Sequence, residues 1–215
     1  MRFIYLHGFA SGPGTQKGQF FKQQLSKEGI QLLIPDLTEG NFTHTTISKQ
    51  LNVVGRLVQE SSEPVVFIGS SMGGFLAALA AEQFPLVAGI FLLAPGFEFY
   101  ARREQMMGKM LLKQWEKEGY INVYHYYLKK EVPIHFEFVQ DARKYHAVRF
   151  ERALPAMIIH GLEDEVVPYQ VSINYLRQNK QAQCVLLPGD HGLLNHLPLI
   201  WNYFQLFLGQ IPEYR

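Results

Sequence analysis

The stretch PVVFIGSSMGGFLAALAAEQF, residues 64–84, decides the fold. Its first part is an apolar run short enough for a strand buried on both faces, and its second part is small and apolar, as a helix pressed against a sheet must be. Between them stands Gly69-Ser70-Ser71-Met72-Gly73-Gly74. The pattern Gly-x-Ser-x-Gly fits only with Ser71 at its centre, because Ser70 would need a glycine where Ile68 stands. Glycines two residues to either side let the chain turn sharply from strand to helix while the serine takes a strained conformation. Such a turn pushes the hydroxyl out at the carboxyl end of a sheet, onto a helix N-terminus. Ser71 is therefore a candidate nucleophile; its alternative is an ordinary N-cap.

Five further apolar runs share this length: FIYL (3–6), QLLIP (31–35), VAGIFLLAP (87–95), PAMIIHG (155–161) and QCVLLPG (183–189). Helix-length segments lie between most of them, amphipathic at Thr15–Glu28 and Thr45–Glu60, small and apolar at Met72–Phe84, then Pro168–Gln178, with Leu199–Leu208 closing the set. Alternation of strand and helix predicts an α/β protein with a mainly parallel sheet covered on both faces. Residues 96–154 break the rhythm between the fourth and fifth strands. They are rich in Tyr, Phe and Met, include Trp115, and carry eleven Lys/Arg against eight Asp/Glu. The first half reads helical, with Met106, Met110, Leu111 and Trp115 on an apolar side. The second reads as a hairpin, INVYHYYL and VPIHFEF around Lys129–Glu131. The expected organisation is a core of residues 1–95 and 155–215 with residues 96–154 as an inserted cap or lid. The aromatics of the insertion form either its own small core or a cover over an apolar ligand.

A serine hydroxyl attacks only when a base takes its proton, and the base needs an orienting acid. In this sheet type both must project from the same carboxyl edge as Ser71. The fifth strand runs into His160-Gly161-Leu162-Glu163-Asp164-Glu165, and the sixth into Pro188-Gly189-Asp190-His191-Gly192. Asp164 is favoured as the acid over Glu163 and Glu165, and His191 as the base over His196. The remaining histidines are expected to be structural or exposed, with His7 and His160 as possible pocket floor. The glycine-rich loop LHGFASGPGTQKG, residues 6–18, invites a phosphate-binding reading, but it fails Gly-x-x-x-x-Gly-Lys-Ser/Thr and has no Gly-x-Gly-x-x-Gly. It suits an oxyanion hole instead: Gly8 permits close approach, and the amides of Phe9 and Met72 would face the reacting oxygen. Lys17 is then expected on the surface. Candidate substrate contacts are His7, Gly8, Ser70 and Trp115.

Composition narrows the function. The chain has 215 residues, 47% hydrophobic, and a formal charge of +1, which leaves no electrostatic footprint for nucleic acid. No apolar run approaches the length needed to span a bilayer. Its single cysteine, Cys184, lies in an apolar run and reads as a core thiol. No metal-ligand spacing is recognisable. The expectation is a soluble cytoplasmic protein of unspecified oligomeric state.

Taken together, His7-Gly8-Phe9, the turn at Ser71, Gly-x-x-Asp at Gly161–Asp164 and His191 resemble the α/β-hydrolase superfamily. Within it, LHGFASGP, GSSMGG and the compact length are similar to the small YqiA-like esterases of bacteria. The resemblance implies a minimal α/β-hydrolase fold of about six mostly parallel strands, without the two leading strands of larger members. It also implies carboxylic-ester hydrolysis by a Ser71–His191–Asp164 triad through an acyl-enzyme, with no cofactor. An acyl-CoA thioester is the alternative substrate, its phosphates met by cations such as Arg102 or Arg103. A non-catalytic ligand-binding protein of the same fold is the alternative outside enzymology.

Overall fold

The structure, a computed structural model, describes residues 1–214, apart from the side chains of Arg103, Gln105, Met106 and Glu213. The expectations placed on Arg103 and Met106 therefore fall outside the described residues.

Six strands form one sheet: β1 (Arg2–Leu6), β2 (Leu32–Leu33), β3 (Val65–Ser70), β4 (Val87–Leu93), β7 (Ala156–Gly161) and β8 (Ala182–Leu187). Their order is β2-β1-β3-β4-β7-β8, and every pair is parallel. All six residues of β3 are buried, which explains its continuous apolar run. Alternate residues serve opposite faces. Ile4, Phe67 and Ile90 pack with α2 (Ile47–Gln59), α3 (Met72–Gln83) and α6 (Gln170–Gln178). Phe3, Tyr5, Val66, Ile68 and Phe91 pack with α1 (Gln16–Lys27) and α7 (Leu197–Leu208). The second strand is shorter than the run QLLIP because Pro35 offers no N–H to a ladder.

Between β4 and β7 lie α4 (Phe99–Glu118), the antiparallel pair β5 (Tyr120–His125) and β6 (Lys130–His135), and α5 (Glu137–Ala142). The helix α4 breaks at Gly108, whose φ of 71° and ψ of 155° are not helical. The expected strand VPIHFEF stops at His135, and the chain turns helical from Glu137. Phe138, Val139 and Ala142 recur at helical spacing and are buried, so the wall they face selects a helix over the alternating pattern. Trp115, Ile134, Phe136 and Phe138 belong to the same core as α2 and α3, so the insertion's aromatics do not form a separate core. Arg152 anchors the far end of the insertion. Its guanidinium donates to the carbonyls of Ala81, Phe84, Pro85 and Val87 at 2.6–2.8 Å, tying together the last turn of α3, the loop after it and the start of β4.

Candidate active site

The turn after β3 is as tight as its glycines suggest. Ser71 has a φ of 54° and a ψ of −121°, a region that non-glycine residues rarely occupy. A Cβ on Gly69 would lie 2.6 Å from the Gly73 carbonyl oxygen, and one on Gly73 would lie 2.0 Å from that of Leu6. Any larger residue at either position would push α3 away from the sheet. The Ser71 amide donates to the Leu93 carbonyl at 2.9 Å, and its own carbonyl accepts from Gly74 at 2.9 Å and Gly96 at 2.8 Å. Strain persists there because the surroundings over-determine it.

Two neighbouring strand ends bring the partners. A Cβ on Gly161 would meet the Gly189 carbonyl oxygen at 2.2 Å, so only glycine lets the loops after β7 and β8 run so close together. His191 Nε2 lies 3.0 Å from Ser71 Oγ, and His191 Nδ1 lies 2.7 Å from Asp164 Oδ2. The Asp164 side chain is fully buried, and its Oδ1 accepts from the amides of Val166 at 2.9 Å and Val167 at 2.7 Å. Glu163 and Glu165 are exposed, and His196 bonds the Pro188 carbonyl instead. Burial alone would raise the Asp164 carboxyl. Hydrogen bonds from His160, His191 and the Val167 amide, with the charge of His191, outweigh it and hold the group well below the usual carboxylate range.

The loop after β1 lies against the serine. A Cβ on Gly8 would be 3.3 Å from Ser71 Cβ and 3.8 Å from its Oγ. Phe9 follows, its ring 5.2 Å from Phe138, 5.5 Å from Phe42 and 6.5 Å from Phe99 between centroids. Met72 is the first residue of α3, so its amide is one of the four that a helix leaves without an internal partner.

The other expected contacts are buried side chains. Trp115 is not brought to the site: it is fully buried, donating to the Ile134 carbonyl at 3.1 Å and packing edge-on to Phe136. Ser70 is buried as the last residue of β3. His7 is buried; its Nδ1 donates to the Gly8 carbonyl at 3.0 Å and its Nε2 accepts from the Leu37 amide at 3.3 Å. Burial lowers its pKa, consistent with a ring that braces the loop in the neutral form. His160 is fully buried against Asp164.

Lys17 departs from its expected place on the surface. It is half-buried, its ammonium 3.5 Å from the His191 carbonyl, and burial pushes its pKa down to about 8 against the opposing pull of Asp164 and Asp190. Arg102 is committed to carbonyls, donating to Phe97 at 3.0 Å and Val166 at 2.8 Å. Burial pushes the Cys184 thiol up to about 11, which removes it as a nucleophile at neutral pH. Among the described residues, His44, His135 and Glu137 have ligand-type atoms close enough together for a metal. Lys49 already reaches the Glu137 carboxylate at 3.4 Å, and His44 bonds it at 2.9 Å, so the group clasps the start of α5 to α2 and the loop before it.

The sheet order, the strained turn and the three converging side chains define an α/β-hydrolase fold. The chain belongs to the uncharacterised protein family UPF0227, whose model matches residues 2–207. Among curated relatives, the mouse mitochondrial palmitoyl-protein thioesterase ABHD10 is 27% identical over 153 residues, covering 63% of this chain and 48% of its own length. The chain thus spans about half the length of that relative, and 61% of its rat counterpart. Among solved structures, mouse alpha/beta hydrolase domain-containing protein 10 superposes with a TM-score of 0.80 at 21% identity, covering 95% of this chain and 88% of that one. Est1E of Butyrivibrio proteoclasticus with ferulic acid bound gives 0.78 at 23% identity, over 97% and 88%. At these identities the superpositions establish the fold. No helix among the described residues is long and apolar enough to cross a membrane.

Proposed function

We propose that the protein is a serine hydrolase that cleaves a carboxylic ester. The observation that carries this reading is the unbroken hydrogen-bonded line from Ser71 Oγ through His191 to Asp164, starting at a strained serine on a helix N-terminus. His191 Nε2 removes the hydroxyl proton as Oγ attacks the acyl carbon, and Asp164 holds the ring so that Nε2 is the free base. The carbonyl electrons move onto oxygen, which the amides of Phe9 and Met72 would receive with help from the positive end of α3. The intermediate collapses to an acyl-enzyme as the His191 imidazolium protonates the departing alkoxide. Water, deprotonated by the same ring, then attacks the acyl carbon and releases acid and free Ser71. The rings around Phe9 offer the acyl or aryl part an apolar neighbourhood.

A thioester is the second reading, favoured by the name of the mouse relative. The same steps apply with a thiolate leaving. An acyl-CoA would lose one expected contact, because Arg102 already serves two carbonyls. A purely binding role would leave the strained turn at Ser71 without a use. The test compares nitrophenyl esters of increasing chain length with acyl thioesters, using wild type and Ser71→Ala. Turnover should fall by about 10⁴-fold or more in the variant; a near-normal rate would overturn the proposal.

A further inference from the structure

Behind the Asp164 carboxylate lies a second imidazole. His160, next to last in β7 and fully buried, directs Nε2 at Asp164 Oδ2, 3.1 Å away, and at the Val167 carbonyl, 2.9 Å away. Two acceptors fix the hydrogen on Nε2. Its Nδ1 lies 2.7 Å from Ser172 Oγ in α6, so that hydroxyl donates to it. Asp164 Oδ2 therefore receives both His191 and His160, while Oδ1 receives two backbone amides. Four donors use up the roughly four lone-pair sites of one carboxylate.

This saturation has two consequences. The carboxylate is held against rotation, which fixes the direction in which it presents Oδ2 to His191. The donor from His160 also draws negative charge from the very oxygen that His191 uses, weakening its hold on an imidazolium. We propose that His160, itself held by Ser172, is a positioning residue that sets the orientation and basicity of His191 through Asp164. The proposal rests on the hydrolase reading above for its catalytic meaning, but the linkage between the two rings does not. The groups facing this unit are the Ser71 hydroxyl after β3, Lys17 from α1, which feels the charge of Asp190 in the loop after β8, and Arg102 from α4 at the Val166 carbonyl. All of these stay unchanged in the variants below.

The test is a histidine NMR titration of the full chain labelled at the imidazole Cε1, in wild type, His160→Leu and His160→Gln. Leucine removes the donor; the glutamine amide puts an N–H close to where Nε2 stood. The His191 midpoint should rise by about half to one pH unit in His160→Leu and return to within about 0.3 unit of wild type in His160→Gln. The acid limb of kcat/KM should move with it. An unmoved His191 midpoint in a folded His160→Leu protein would overturn the proposal. Should that variant not fold, Ser172→Ala carries the test: a rise in the same direction supports the relay, and an unchanged midpoint overturns it. A shifted midpoint in a protein whose Ser71 carries no activity would sink the hydrolase reading alone.

Discussion

The Tyr126 amide, at the tip of the β5–β6 hairpin, donates to the Ala10 carbonyl across 2.8 Å and ties the insertion to the loop beside Ser71. The next residue occupies a seat in that loop. A Cβ on Gly12 would lie 2.7 Å from Tyr127 Cδ1, and one on Gly14 would lie 2.5 Å from its Cε2. The glycines thus have two uses: Gly8 clears the space over the serine, and Gly12 and Gly14 clear a bed for an aromatic ring. Gly14→Ala should lift Tyr127, a half-exposed and movable ring, without disturbing the sheet. Opening of the hairpin then becomes easier, and trypsin should cut at Lys129 and Lys130 about three to ten times faster. An unchanged cleavage rate would show that the seat does not hold the hairpin.

Three acids stand in a row after β7, and burial separates them. Asp164 is buried with four donors, whereas Glu163 and Glu165 face solvent. Asp164→Asn should lower kcat by about 10³- to 10⁴-fold, because the amide favours the wrong tautomer of His191. Glu163→Gln and Glu165→Gln should stay within about twofold of wild type. Steady-state rates on one nitrophenyl ester, with melting curves to establish folding, decide it. A large loss in either glutamine variant would move the acid's role.

The sheet, and the motifs that carry Ser71, Asp164 and His191, were legible because both depend on local pattern. Apolar runs mark strands buried on both faces, and Gly69, Gly73 and Gly161 mark places where backbones touch. What stayed hidden depends on contacts between distant segments. Nothing near Lys17 tells that the α1 start lies beside His191, and Trp115 in a Met-rich helix reads equally well as lid or core. Phe136 and Phe138 fit an alternating strand until the wall that buries Phe138 and Val139 together is known. The spacing of His160 and Asp164 was a usable signal, since four residues across a strand end can bring an imidazole back onto a carboxylate.

Lys17 gives a pH-dependent prediction. Its pKa of about 8 in the folded protein lies below the roughly 10.4 of an unfolded chain. Between those values the unfolded chain binds more protons than the folded one, so stability rises with pH across that window. Below pH 8 the buried ammonium carries its full desolvation cost. Lys17→Met should therefore be more stable than wild type at pH 7, by about 1–2 kcal/mol after allowance for its partial exposure. The advantage should shrink toward pH 10. Urea unfolding at pH 7, 9 and 10 measures both; a less stable variant, or a gap that ignores pH, would contradict the assignment.

The central claim is that Ser71 is an activated nucleophile. Purified protein treated with a fluorophosphonate and read by intact mass, followed by peptide mapping, tests it without any assumption about substrate. One adduct is expected, on the peptide containing Ser71, absent from Ser71→Ala and slowed in His191→Ala. A folded wild type that takes no label, or a label that persists in Ser71→Ala, would contradict it.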